Sequence, residues 1–300
     1  MNKTAGWING FLGVLIFSGS LPATRLAVID IDPTFLTMAR ASIAGLLGMV
    51  FLLLFREPFP RKSDAVSLVV VALGVVVGFP LLTGLALQHM TSAHAIVFIG
   101  LLPLSTAIFA VLRGGERPRP LFWLFSVGGS LIVASYAYGQ GSQSTLMGDG
   151  LMLAAIIVCG LGYAEGARLS RRLGGWQVIC WALVFALPVM LPLSVFTRPE
   201  TWNGIGAMAW GGLAYVSLFS MLIGFVFWYR GLAQGGTATV GQLQLLQPFF
   251  GLMLAAGVAG NRSAWAWLQR RPWLLSAWRA PSVSLRAHLE KRETVLLEML

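Results

Sequence analysis

The polar side chains best placed to bind a solute lie within long apolar stretches of the sequence. Arg40 lies about a third of the way into one such stretch, and Gln244 and Gln247 lie in another. Polar groups at membrane depth are unfavourable in lipid and mark functional sites by default. We therefore expect Arg40 to meet an anionic group in a cavity. The alternative is that its long side chain reaches the outer interface of the membrane.

Gln244 and Gln247 are three residues apart and share one helix face just before Pro248. Proline removes a backbone donor and frees a carbonyl, so Pro248 predicts a helix break, and Pro103 predicts the same in an earlier apolar stretch. The two glutamines either bind a polar solute or hydrogen-bond the freed carbonyl. The sequence favours neither role.

Two tyrosines, Tyr163 and Tyr215, lie deeper in apolar stretches than the other aromatic residues. They predict a cavity wall that stacks on a planar solute. The alternative is an aromatic belt at the lipid interface, where most such residues belong. Together with Arg40, Gln244 and Gln247, these tyrosines are the candidate cavity residues.

No set of residues predicts catalysis. The histidines His89, His94 and His288 have no partner at metal-ligand spacing, and Cys159 and Cys180 lie far apart in apolar runs. The sequence contains no HExxH, GxSxG or P-loop motif. We expect no enzyme activity, no metal and no cofactor.

The composition is that of a chain surrounded by lipid. Apolar residues make up 57% of the 300 residues, charged residues make up 11%, and the mean hydropathy is +0.77. A soluble domain carries about 25% charged residues. Because a span needs about 20 apolar residues, we predict an all-α polytopic membrane protein with about nine transmembrane helices. The predicted spans are 7–28, 33–55, 64–87, 93–112, 120–139, 148–168, 175–196, 204–230 and 237–259.

The basic residues lie mostly in turns between these spans. A net charge of +10 does not predict nucleic-acid binding here, because the arginines form short clusters in alternate loops, as the positive-inside rule requires. The clusters at 56–62, 113–119 and 168–172 place the N-terminus in the cytoplasm, and we expect the cell inner (plasma) membrane. Glu165 lies one turn before Arg168, which predicts an interfacial ion pair.

Similar residues recur in the sequence at an offset of 145. Leu-Leu-Pro at 101–103 aligns with Leu-Gln-Pro at 246–248. Each copy lies in the fourth span of a five-span unit, and an odd number of spans inverts the second unit in the membrane. We predict two inverted five-helix repeats, at 1–139 and 148–259, the second incomplete with four helices. Inverted repeats are a common way to build a transporter.

The sequence resembles the drug/metabolite transporter superfamily, in its EamA-type ten-helix branch. The resemblance rests on the run AHAIVFIGLLPLSTAIFAVLRGGERP (93–118), its partner GQLQLLQPFFGLMLAA (241–256) and the order of short spans with basic turns. It covers roughly residues 7–256. It implies two five-helix halves around a central cavity, and secondary transport of small organic metabolites or drugs by alternating access.

The resemblance further implies export or exchange of a small-molecule substrate across the lipid bilayer of the inner membrane, and we expect an exporter. A homodimer is left open. The alternatives to transport are a membrane-embedded enzyme and a membrane remnant that no longer transports.

Residues 260–300 depart from the family's pattern. The family has Gly-Glu followed by a tenth apolar helix, whereas this chain has Gly260-Asn261 followed by a tail rich in Trp and Arg. Each arginine at depth costs about 2.5–3.5 kcal/mol on insertion scales, so we expect no tenth span. The degenerate codons regrouped one base earlier allow Gly-Glu-Pro-Val-Ser-Leu-Gly-Met. Our hypothesis is that a one-base frameshift near codon 260 replaced the tenth helix.

Overall fold

The computed structural model describes residues 3–139 and 145–258, which form helices joined by short turns and contain no β-strand. Nine helical segments follow one another along these residues. They are α1 (Lys3–Ser18 and Ser20–Ala27), α2 (Pro33–Leu54), α3 (Lys62–His89), α4 (Ser92–Ile99 and Leu102–Gly114), α5 (Pro120–Gly139), α6 (Leu146–Leu173), α7 (Gly175–Phe196), α8 (Ala207–Gly235) and α9 (Thr237–Gly241, Gln242–Leu246 and Gln247–Val258).

Six of these helices, α1, α2, α3, α6, α7 and α8, are long and apolar enough to cross a membrane. Shorter apolar helices form Leu102–Gly114 of α4 and Pro120–Ile132 of α5. Each of the nine segments overlaps one predicted span, and the helical architecture confirms an all-α polytopic membrane protein. That all nine cross the membrane stays a prediction. The tail at 260–300, with its predicted lack of a tenth span, lies outside the described residues.

Local sequence fixes where several helices begin and end. Asp32 caps α2, its carboxylate accepting from the backbone N–H groups of Thr34 at 2.8 Å and Phe35 at 3.1 Å, which satisfies donors that the helix leaves free. The single residue between α6 and α7 is Gly174, with a φ of +100°. Gly236 holds the same place between α8 and α9, with a φ of +93°. Glycine adopts these positive φ angles without a steric penalty.

Several helices depart from α-helical geometry in mid-span. α3 contains the π-helical segment Ala72–Gly78, and α8 contains the π-helical segment Val216–Ile223. α1 is interrupted at Gly19, and α4 is interrupted between Ile99 and Leu102. α9 contains a 3₁₀-helical turn at Gln242–Leu246. Such irregular turns often mark functional sites because they free backbone groups and redirect side chains.

Close contacts join the first five helices to the last four. α1 packs on α8, where a Cβ added to Gly231 would lie 2.5 Å from the backbone nitrogen of Gly10. α3 packs on α6, where a Cβ on Gly74 would lie 2.6 Å from the carbonyl oxygen of Val158. α2 packs along α7. Glycine permits this close approach, which is the usual way helices pack in membranes.

Candidate functional site

A small polar cavity lies among α1, α2, α3, α6, α8 and α9. Its volume is about 20 Å³, which is room for about one water molecule. The polar residues that line it are Ser20, Thr24, Arg40, Thr83, Ser220 and Gln247. Aromatic residues, among them Phe17, Tyr163 and Phe225, complete the wall. The lining combines apolar and polar side chains as a small-molecule pocket does, but the volume is far below that of such pockets, about 300–1,000 Å³.

Arg40 places a buried cation on the wall of this cavity. Its side chain is 5% exposed, and its Nη2 donates to the hydroxyl of Ser220 at 3.2 Å. The Ser20 hydroxyl donates to the same Ser220 oxygen at 2.8 Å. The Nε atom of Arg40 is buried and has no hydrogen-bond partner. Among the described residues, no carboxylate lies within ion-pair distance of Arg40.

An unpaired arginine at this depth lowers stability. Insertion scales put its cost at about 2.5–3.5 kcal/mol near the middle of a span. Burial with an incomplete set of partners adds to that cost, because a buried charge is tolerated when it is paired. Arg40 is therefore a residue that the fold alone does not explain.

The structure separates the two candidate glutamines. Gln247 lines the cavity, with its Nε2 at 3.5 Å from the carbonyl oxygen of Phe17 and its Oε1 buried without a partner. Gln244 is fully buried outside the cavity lining, and neither of its amide atoms has a partner. Pro248 is the second residue of the helical segment Gln247–Val258, and Pro103 is the second residue of Leu102–Gly114.

The structure also separates the two candidate tyrosines. Tyr163 is 3% exposed and lines the cavity beside Phe17, Phe225 and Trp228, with ring centroids 6.4, 5.9 and 5.4 Å away. The hydroxyl of Tyr215 donates to the carbonyl oxygen of Ile16 at 2.8 Å, and its ring lies against Gly19. Tyr215 is therefore a packing residue at the interruption of α1, outside the cavity lining.

Sequence reasoning missed Ser220, which accepts from Arg40, and Ser20, which donates to Ser220. Ser20 and Ser220 lie 200 residues apart, and serine is unremarkable in an apolar helix. The interruption at Gly19 and the π-helical segment around Ser220 bring the two hydroxyls together. The only signal in the sequence was a polar residue in each of two spans.

A second cluster of charges lies near the carboxyl end of α6. Glu165 is fully buried, and its carboxylate accepts from the Ser67 hydroxyl at 2.6 Å, from Arg113 Nε at 3.2 Å and from Arg168. The expected pair with Arg168 is present. The pair belongs to a network that joins α3, α4 and α6, in which the carboxylate is buried and the two arginines are each 45% exposed.

Another polar contact lies near the amino end of α6. Nε2 of His94, on α4, lies 3.1 Å from the Asp149 carboxylate on α6. The described residues contain no group of three or more His, Cys, Asp and Glu side chains able to hold a metal ion. Cys159 and Cys180 are both buried and free.

The chain is similar to proteins that are named as transporters. "Uncharacterized transporter YdeK" of Bacillus subtilis is 71% identical over 267 residues, 89% of this chain and 93% of that protein. "Probable terminal-alkyne amino-acid exporter" of Streptantibioticus cattleyicolor is 23% identical over 254 residues, 81% of this chain and 82% of that protein. A solved crystal structure, 21% identical, shares the fold with a TM-score of 0.64 and covers 86% of this chain and 89% of its own.

A family model accounts for most of the sequence. The model of the EamA-like transporter family matches residues 4–137 and again residues 146–268. This match confirms the resemblance to EamA-type members of the drug/metabolite transporter superfamily. The chain is a multi-pass membrane protein and belongs to the EamA-like transporter family.

Proposed function

We propose that this protein is a secondary transporter. It exports small organic metabolites by alternating access, and the solute passes through the cavity at Arg40. The observation that carries the proposal is the cavity itself. It encloses a cation and several hydroxyl and amide groups between α1–α3 on one side and α6, α8 and α9 on the other. Charged and polar side chains within membrane spans are energetically costly, so their presence in a cavity indicates a functional site.

The cavity lies between two halves that we propose are inverted repeats, at 1–139 and 148–259. The family model matches the chain twice. Displaced by the 145-residue offset, the π-helical segment Ala72–Gly78 falls within Val216–Ile223. The α1–α8 and α6–α3 contacts each join the first helix of one half to the third helix of the other. Both features support a twofold relation between the halves.

Polar contacts between the halves at both ends of α6 support an occluded state. Arg113 and Ser67 of the first half bind Glu165, and His94 of the first half contacts Asp149. Alternating access requires the contacts at one end to open while those at the other end hold. A cavity with room for about one water molecule must widen to admit a solute.

The direction and location are part of the proposal. The Streptantibioticus relative is named as an exporter, and the arginine clusters favour a cytoplasmic N-terminus. The sequence has no P-loop for nucleotide binding, so an ion or solute gradient would drive transport. The inner membrane is the expected site.

Thiol labelling tests alternating access without knowledge of the substrate. In a background of Cys159→Ala and Cys180→Ala, one cysteine replaces Thr24 in the cavity. We expect a membrane-impermeant thiol reagent to label Thr24→Cys from either face of sealed vesicles, because each face reaches the cavity in turn. The control is Ala44→Cys, a fully buried position outside the cavity lining, which should stay unlabelled. Labelling of Thr24→Cys from one face only, or from neither, would contradict alternating access.

A further inference from the structure

Arg40 differs from the other charges that the fold buries among the described residues. Glu165 binds two arginines, and Asp64, which is 2% exposed, binds Arg172. Arg40 is 5% exposed and has only the Ser220 hydroxyl. Within residues 3–139 and 145–258, the buried carboxylates thus have counter-charges and the buried cation Arg40, at the cavity, has none.

We infer that Arg40 binds the carboxylate of the transported solute, so that the substrates of this transporter are small monocarboxylates. This inference rests on the proposed function and assigns it a substrate class. The solute supplies the missing counter-charge. Arginine is suited to this role because its planar guanidinium binds a carboxylate through two parallel hydrogen bonds.

The charge of the cavity sets the charge of the solute. Arg40 is the one charged residue in the described lining. A monocarboxylate neutralises it, whereas a phosphate monoester carries about −1.5 to −2 at neutral pH and would leave excess negative charge in a buried site. The cavity therefore matches a single carboxylate.

The guanidinium is held in position for this contact. Ser220 accepts from Arg40 Nη2 at 3.2 Å and from Ser20 at 2.8 Å, which ties the cation to α1, α2 and α8. The Nε donor is left without a partner. A preorganised donor loses little freedom when the anion arrives.

The remaining lining predicts the rest of the solute. The Oε1 atom of Gln247 is a buried acceptor with no partner among the described residues, in the same cavity, and it fits a neutral hydrogen-bond donor such as a hydroxyl group. The rings of Phe17, Tyr163 and Phe225 offer an apolar wall. A carboxylate that also carries a donor and an apolar side chain fills all three features.

Thermal unfolding of the full chain in detergent tests the assignment with matched pairs of probes. The pairs are phenylacetate with phenylacetamide, and mandelate, 3-phenyllactate and 2-hydroxyisocaproate each with its carboxamide, so that each pair compares a monoanion with its neutral counterpart. We expect at least one carboxylate to raise the unfolding midpoint in a dose-dependent way while its amide does not, because binding to the folded state alone stabilises it. In Arg40→Gln the apparent affinity should fall by about 10- to 100-fold, the worth of a charged hydrogen bond.

The control is Arg25→Gln. Arg25 is also an arginine on a cavity-lining helix, but it donates to the Leu87 carbonyl and lies outside the cavity lining, so the carboxylate response should persist in this variant. The inference is overturned if no carboxylate of the panel shifts the wild-type midpoint. It is also overturned if the amides shift it equally, or if Arg40→Gln responds as the wild type does.

A ligand-free measurement guards against misfolding of the variant. Arg40→Met replaces an unpaired buried cation with an apolar side chain of similar length, so its midpoint should equal or exceed that of the wild type. A large drop in the unfolding midpoint of Arg40→Met would show that Arg40 stabilises the fold, and it would overturn the inference. The labelling of Thr24→Cys is independent of these outcomes, so loss of the carboxylate response with labelling from both faces would reject this substrate class and leave the proposed transport intact.

Discussion

Arg40 and Glu165 are both charged side chains buried within spans, and their partners give them different roles. Arg40 has no counter-charge in the part of the chain that the structure describes, and it lines the cavity. Glu165 accepts from Ser67, Arg113 and Arg168 and so connects three helices. The first arrangement suits a ligand site, and the second suits a structural or gating contact.

Substitution of Glu165 by glutamine should destabilise the protein. Removing one charge of a fully buried pair costs about 3–5 kcal/mol. Arg113 and Arg168 are each 45% exposed, so water screens the charges that are left, and we expect a loss of about 1–2 kcal/mol. Chemical unfolding in detergent measures this loss of stability. Glu200→Gln, at an exposed loop position, is the control, and equal stability of the two variants would contradict this role.

Residue types alone could not separate cavity residues from packing residues. Tyr163 and Tyr215 both lie deep in apolar spans, yet only Tyr163 lines the cavity, because the Tyr215 hydroxyl meets the carbonyl of Ile16. Gln244 and Gln247 were expected on one face, and only Gln247 lines the cavity. The outcome depends on backbone geometry and on contacts across about 200 residues of chain, which local spacing does not report.

At the scale of helices, the contact between α1 and α8 depends on glycine. Gly231→Ala should lower stability by about 1–3 kcal/mol, since the new Cβ would lie 2.5 Å from the backbone of Gly10 and would push the helices apart. Gly211→Ala is a matched control on α8, where a Cβ has no neighbour within 4 Å.

The control substitution should be neutral or stabilising by about 0.5–1 kcal/mol, because alanine favours helix more than glycine does. Thermal unfolding of both variants gives the difference. A stable Gly231→Ala protein would mean that α1 and α8 do not pack this closely.

The spans themselves were predictable because each requires a long apolar run. The predicted span 33–55 is α2, Pro33–Leu54, and the predicted span 175–196 is α7, Gly175–Phe196. The π-helical segments were not predicted. An apolar run looks the same in α- and π-helical geometry, because the difference lies in backbone hydrogen bonding, and the side-chain pattern does not encode it.

At the scale of the whole molecule, the orientation in the membrane is open to a direct test. The arginine clusters predict that the loop containing Arg117 is cytoplasmic and the loop containing Glu200 is external. A reporter that is active only in the cytoplasm should work when fused after Arg117 and fail when fused after Glu200. The reverse pattern would place the N-terminus outside.

The nucleotide sequence tests the origin of the tail at 260–300. The family match ends at residue 268, and the hypothesis of a frameshift near codon 260 predicts that the neighbouring frame encodes Gly-Glu followed by an apolar helix. Determining the nucleotide sequence decides it. An early stop, or a polar sequence in that frame, would make the tail a true variation of this chain.

Transport in reconstituted vesicles tests the central claim most directly. Purified protein is reconstituted with a labelled monocarboxylate that stabilises it in detergent, and exchange against unlabelled solute is followed without nucleotide. The account predicts saturable exchange in the wild type and in Arg25→Gln, and its loss in Arg40→Gln. Exchange that persists unchanged in Arg40→Gln, or is absent from the wild type, would contradict a carboxylate pathway through the Arg40 cavity.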